Sequence, residues 1–338
     1  MYKTLFIILF QLAITSVVAQ QRQLLLGTWI KTHLETNNSQ IAADTKYLKY
    51  TFENDGKFYL STDYDDKGIE YRYKLIGDIL ELNDNKLNII SLENDYLILE
   101  DIGETNDPIK IYFTKMSKLL SENTISQNDY YMRDNDTIYF ENELIYPEFE
   151  KKNNKTSDGY ILSKMVGQIN GKEESYSFAT FIVNTNGQIS NIDIMHHIGN
   201  KYDSNLIKAI EKTNGMWTSP TINGKKVNVL KEITYHYPKI PNLPSTVTKN
   251  YKFIRVETQA EKFQTKYQLF YKEAVKQYLR GNMKSALNLF MRCENLTDEK
   301  INTIIGMNKC YKELNDSENY QNSLNKIQES KFSYILKD

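Results

Sequence analysis

SFATFIVNTNGQISNIDIM, from Ser177 to Met195, is the stretch whose reading decides the fold of the middle of this 338-residue chain. Phe178 to Val183 is an apolar run rich in aromatic and β-branched residues, and Ile189, Ile192 and Ile194 mark a second run. Between them, Asn184-Thr185-Asn186-Gly187 supplies residues that tolerate positive φ, so the two runs are expected to pair as a hairpin. Downstream, Leu206, Ile207 and Ile210 recur at helical spacing between Asp203 and Glu211, with Asp203 or Ser204 as the expected N-cap. Met216-Trp217-Thr218-Ser219-Pro220, then Asn223-Gly224-Lys225-Lys226-Val227, then a last strand from Val229 to Tyr237 complete the pattern. Residues 137–240 are therefore expected to form one α+β module.

This order resembles the C-terminal domain of TonB. Phe181, Val183, Gly187, Ile189, Trp217, Pro220, Asn223, Gly224, Lys225 and Val227 carry the resemblance, and Pro147-Glu148-Phe149 resembles the lead-in of Bacteroidetes-type members. One stretch departs from it: Lys164 to Gly171 stands where members usually carry a Tyr-Pro and a Gly-x-Val. The resemblance implies recognition of an extended peptide, such as a segment of a TonB-dependent outer-membrane receptor, by strand addition. Main-chain hydrogen bonds would give affinity and side-chain pockets specificity. On this reading Val229, Lys231, Ile233, Tyr235 and Tyr237 lie on the receiving edge, and Trp217 and Pro220 set its geometry from beneath.

Residues 22–117 read as short strands. Tyr47 to Phe52 and Lys57 to Thr62 flank Glu53-Asn54-Asp55-Gly56, a hairpin signal, and runs at 69–75, 79–82, 87–92, 96–99 and 109–113 follow. About eight strands in sequence predict an all-β meander or small barrel. With Gly27-x-Trp29 on its first strand, the region resembles small bacterial lipocalin-like domains. The family implies an apolar cup for a small apolar ligand; a barrel of ~8 strands leaves little interior room, and one filled by its own side chains is the favoured reading. Residues 118–136, rich in Ser, Asn and Asp, are expected as a linker, and so are residues 241–257 with Pro241 and Pro244.

Residues 258–330 are expected to be helical. Ala274, Tyr278, Gly281, Ala286 and Phe290 resemble the tetratricopeptide pattern, and Gly306, Cys310, Tyr320 and Leu324 follow about one repeat of ~34 residues later. The fold class is thus multi-domain: a lipocalin-like all-β barrel, a TonB C-terminal-like α+β domain, and tetratricopeptide-like helical hairpins. Cys293 and Cys310 are the chain's two cysteines. They suit a helical interface as small hydrophobes, and a disulfide between them is open in an oxidising compartment.

At the N-terminus, Lys3, an apolar run from Leu5 to Val18 and Val17-Val18-Ala19 form the pattern of a secretory signal peptide over residues 1–19. The run is shorter than the ~20 residues that span a bilayer, so cleavage is expected over anchoring. A net charge of -1 gives no global field for nucleic acid, and none is expected as a partner. His196 and His197 would point to opposite faces of a strand, which favours a turn-end pair over a shared metal site. Asp63 to Gly68 begins like a calcium loop but has Lys74 at the twelfth position. No motif for metal, phosphate or nucleophilic chemistry is present, so neither an enzyme nor a cofactor is expected. The sequence points to an exported periplasmic or envelope-associated binding or adaptor protein with envelope proteins as partners. A TonB-type energy transducer acting on outer-membrane receptors in transmembrane transport is the alternative, although a proline-rich spacer is missing.

Overall fold

The computed structural model describes residues 20–336 except 37–39, 42–46, 65, 84, 103–107, 124, 151–155, 166–174, 238–265 and 298–299. The expected leader at 1–19 and the expected linker at 241–257 therefore lie outside the described residues. The chain divides into two compact units: residues 1–125 with 142–148, and residues 126–141 with 149–338.

The first unit is an antiparallel barrel of eight strands. These are β1 (Gly27–Glu35), β2 (Lys49–Phe52), β3 (Lys57–Ser61), β4 (Ile69–Ile76), β5 (Ile79–Leu82), β6 (Asn85–Leu92), β7 (Tyr96–Asp101) and β8 (Lys110–Lys115). Each pairs with the next, and β1 closes the ring on β8 with Trp29 opposite Lys115. Closure removes the open edges that a meander would leave. The Asn54–Gly56 turn holds because the Glu53 amide donates to the Lys57 carbonyl at 2.9 Å. Trp29, Tyr50, Phe52, Phe58, Tyr73 and Phe113 are buried in a single core. Their rings pack edge-on or tilted, with Tyr50–Phe58 and Phe52–Phe58 centroids each 4.9 Å apart. These rings make the core that a barrel filled by its own side chains requires. Trp29 is fully buried, and its indole N–H donates to the Leu25 carbonyl at 2.8 Å. Helix α1 (Met116–Glu122) follows β8. Residues 142–148 belong with this unit because fully buried Lys49 donates to the Tyr146 hydroxyl at 3.0 Å and to the Tyr64 carbonyl at 2.8 Å.

The second unit is built on a mixed sheet of five strands: β9 (Tyr130–Arg133), β10 (Asp136–Phe140), β11 (Ser175–Val183), β12 (Ile189–His196) and β13 (Asn228–Tyr237), in the order β9-β10-β13-β11-β12. The expected hairpin is β11–β12. Gly187 makes its turn at φ 80°, and a Cβ there would lie 2.0 Å from the Trp217 carbonyl oxygen, so only glycine fits. Residues 118–136, expected as a linker, hold the end of α1, a 3-10 turn at Gln127–Asp129 with a reciprocal Ser126–Asp129 capping box, and β9.

β11 is buried on both faces. Phe181, Val183, Ile233 and Tyr235 share one core with Leu206, Ala209 and Ile210 of α3 (Asn200–Glu211) and Ile161 of α2 (Ser157–Lys164). Tyr176, Phe178 and Met195 share the other with four helices: α4 (Lys266–Leu279), α5 (Met283–Glu294), α6 (Ile301–Glu313) and α7 (Ser317–Gln328). Within those helices Ala274 and Ala286 are fully buried and Phe290 nearly so. Gly281 turns α4 into α5 at φ 81°, while Tyr278 is partly buried against the same core. Gly306 on α6 faces Phe290 so closely that a Cβ would sit 2.5 Å from the ring. Among the described residues no helix is long and apolar enough to cross a membrane.

Candidate functional site

The strand expected to receive a peptide is an inner strand. β13 pairs with β11 over nine residues, from Val229 opposite Val183 to Tyr237 opposite Ser175. On its other side β10 runs parallel, with Ile138, Tyr139 and Phe140 opposite Asn228, Val229 and Leu230. Where β10 ends, Glu141 continues the cover: its backbone N–H donates to the Leu230 carbonyl at 3.4 Å, and its carboxylate accepts the Glu232 amide at 2.7 Å. Val229, Lys231, Ile233 and Tyr235 are each at most 1% exposed, so the expected edge residues are core residues instead. Tyr237 lies at the end of the same strand, and its side chain is outside the described residues. The correction has a physical reason: alternation fixed which face these residues share, but the parallel partner 90 residues upstream leaves no local signal.

Lys231 lies in the covered part of this strand. Its ammonium donates to the Glu141 carboxylate at 2.9 Å, and both side chains are 2% exposed. Next to it, Glu232 takes Lys276 at 3.2 Å and Lys272 at 3.5 Å from α4. Burial raises the Glu232 pKa and the two lysines lower it; the net direction is below the ordinary value.

Trp217, Pro220, Asn223, Gly224 and Lys225, which carried the resemblance, lie in the core and in a turn of the second unit. Trp217 is 5% exposed; its N–H donates to the Thr213 hydroxyl at 3.0 Å, and its ring meets Phe149 and Phe181 at 4.9 and 5.6 Å. Pro220 accepts the Val227 amide at 3.1 Å across a tight turn in which Asn223 and Gly224 take φ 49° and 77° and Lys225 is exposed. Cys293 and Cys310 are separate buried thiols rather than a disulfide, and burial pushes each pKa up to about 12. Apolar packing of both thiols into the helical core accounts for their burial without a bridge.

The sheet has two edge strands among the described residues: β9, which pairs with β10 alone, and β12, which pairs with β11 alone. β12 borders a groove of about 300 Å³. Ile192, Asp193 and Ile194 of β12 form one side, Ser204 and Ile207 of α3 the second, and Ile305, Asn308 and Lys309 of α6 the third. Ile327, Tyr334, Ile335 and Leu336 close the end. Two register shifts in the β11–β12 pairing, with Asn191 at φ 51°, leave only a short regular stretch of edge around Asp193 and Ile194.

His196 and His197 diverge from the end of this strand. His196 is sunk among Tyr176, Tyr267 and Tyr271, with Nε2 3.0 Å from the Tyr267 hydroxyl, and burial drives its pKa down to about 3. His197 lines the groove. Its Nδ1 is 2.7 Å from the Asp203 carboxylate, and Asn302 holds its backbone N–H at 2.8 Å and its carbonyl at 2.9 Å. Asp203 also accepts the Ile198 amide at 3.3 Å and the Tyr334 hydroxyl. It is therefore not the helix cap: α3 begins at Asn200 behind Gly199, with no side-chain cap, and Ser204 bonds Asn200 instead. Sequence reasoning missed this cluster because Tyr334 and Asn302 lie more than a hundred residues from the histidine. Among the described residues no three His, Cys, Asp or Glu side chains converge as a metal site.

No protein-family model matches the chain, and no curated protein matches it.

Proposed function

We propose that this is an exported binding or adaptor protein of the periplasm or cell envelope, and that its second unit holds an extended peptide segment in the groove beside β12. One observation carries the reading: an open strand edge borders a groove in which Ile192, Ile194, Ile207 and Ile305 form apolar walls beside a polar end. Backbone donors and acceptors on an open edge favour a chain that can pair with them, and flanking isoleucines favour apolar side chains. The regular stretch of β12 is short, so side-chain contacts supply much of the affinity. Envelope proteins are the natural source of such segments. The N-terminal pattern of Lys3, Leu5–Val18 and Ala19 supports export.

The barrel is proposed to be lipocalin-like, the sheet with α3 to be TonB C-terminal-like, and α4–α7 to be a tetratricopeptide-like pair. Energy transduction through an outer-membrane receptor draws no support from β13, whose edge from Asn228 to Glu232 is occupied by β10 and Glu141.

The test is selection from a random displayed peptide library on the full chain, repeated on Ile207→Arg, which places a charged side chain in the groove. Peptides with alternating apolar residues are expected to be enriched on the wild type and lost on the variant. No enrichment, or enrichment indifferent to the variant, overturns the reading.

A further inference from the structure

The polar end of the groove is more closely built than a peptide groove requires. His197 is fixed at three points, two on its backbone by Asn302 and one on its ring by Asp203. Asp203, 4% exposed, is fixed in turn by the Ile198 amide and the Tyr334 hydroxyl. A carboxylate only accepts, so the imidazole donates from Nδ1, and in its neutral form the lone pair lies on Nε2. Nε2 has no hydrogen bond among the described residues, and His197 lines the groove. Lys309 on α6 and Asp193 on β12 are the other charged side chains on the walls. Asn308, also lining it, spends its amide N–H groups on the Tyr320 carbonyl and the Ser323 hydroxyl, at 3.1 and 2.9 Å.

From this juxtaposition of a fixed acceptor with isoleucine walls, we infer that His197 is a specificity-determining residue that reads a hydroxyl-bearing side chain, Ser or Thr, next to a large aliphatic residue on the bound segment. A hydroxyl can give its proton to Nε2, whereas a carboxylate has no proton to give it. The inference rests on the peptide-groove reading and adds to it the chemistry of the occupant.

The experiment uses peptides selected on the full wild-type chain. One carrying aliphatic-Thr is compared with its Val-for-Thr isostere on wild type, on His197→Asn and on His197→Gln. Asn keeps an amide donor for Asp203 but has nothing at the Nε2 position; Gln can place an acceptor there. On wild type the Val peptide is expected to bind about tenfold more weakly, the worth of one hydrogen bond. On His197→Asn the two peptides bind alike, and on His197→Gln the preference returns at least in part. Equal binding of both peptides to wild type, or an unchanged preference on His197→Asn, overturns the assignment. Should His197→Asn fail to fold, the wild-type comparison still decides. Failure to select any peptide overturns the groove reading and this inference together, whereas selection without a hydroxyl preference overturns only the inference.

Discussion

Removing the Glu141 carboxylate is expected to be among the most damaging single changes in the second unit. Glu141 makes two contacts at once: a 2.9 Å ion pair with Lys231 and a 2.7 Å acceptance from the Glu232 amide. Both side chains of the pair are 2% exposed, so water cannot replace the lost partner. Breaking a buried pair from one side costs about 3–5 kcal/mol, because the remaining charge stays in a low-dielectric site. Stranding a buried amide adds about 1–3 kcal/mol. Partial relaxation reduces that sum, and about 4 kcal/mol is expected for Glu141→Ala. Substituting both partners, as Glu141→Gln with Lys231→Met, removes both charges and keeps an acceptor for the amide, so it is expected to recover most of the loss. Urea unfolding followed by Trp217 emission, in a Trp29→Phe background, reads the second unit. A cost below about 1 kcal/mol for Glu141→Ala, or a double variant no more stable than the single one, refutes the argument that this pair is sealed from solvent.

Trp217→Ala removes a ring packed on Phe149 and Phe181, and about 3–5 kcal/mol is expected in thermal or urea unfolding. Gly306→Ala forces a methyl against Phe290; the gain in helix propensity does not offset it, and a net loss of about 1–3 kcal/mol in the same assay is expected. For His196 the sign follows from its folded pKa of about 3, below the ordinary 6.5. The unfolded chain takes up the proton first, so stability is full above pH 6.5 and is lost as pH falls toward 3. The loss amounts to about 2 kcal/mol at pH 5. Tyr176, Tyr267 and Tyr271 pack on the ring, with His197 and Asp203 the titratable neighbours, and His196→Phe is expected to flatten this part of the pH profile.

The local elements were legible where local chemistry decides them. Asn54-Asp55-Gly56 and Asn184-Thr185-Asn186-Gly187 mark their hairpins because so few residues accept positive φ, and the isoleucine and leucine spacing of α3 marks a helix with one buried face. What the sequence hid is pairing across long separations. β10 joins β13 in parallel from 90 residues away, and that one contact turns the expected edge into an inner strand. One signal was present and undervalued: Phe178 to Val183 is apolar without alternation, as expected of a strand covered on both faces. That run already implied a second layer on the sheet, which α4–α7 supply. The groove could not be read at all, since β12, α3, α6 and the segment at 333–336 meet only in the folded chain.

Hydrogen exchange on the full chain, with and without a peptide selected by it, tests the central claim most directly. An added strand on β12 would slow exchange of the amides at Asp193 and Ile194, with smaller protection along α3 and α6 at the groove, and leave Val229 to Tyr237 unchanged. Protection confined to β13, or no change on β12 at saturating peptide, contradicts the groove as the binding site.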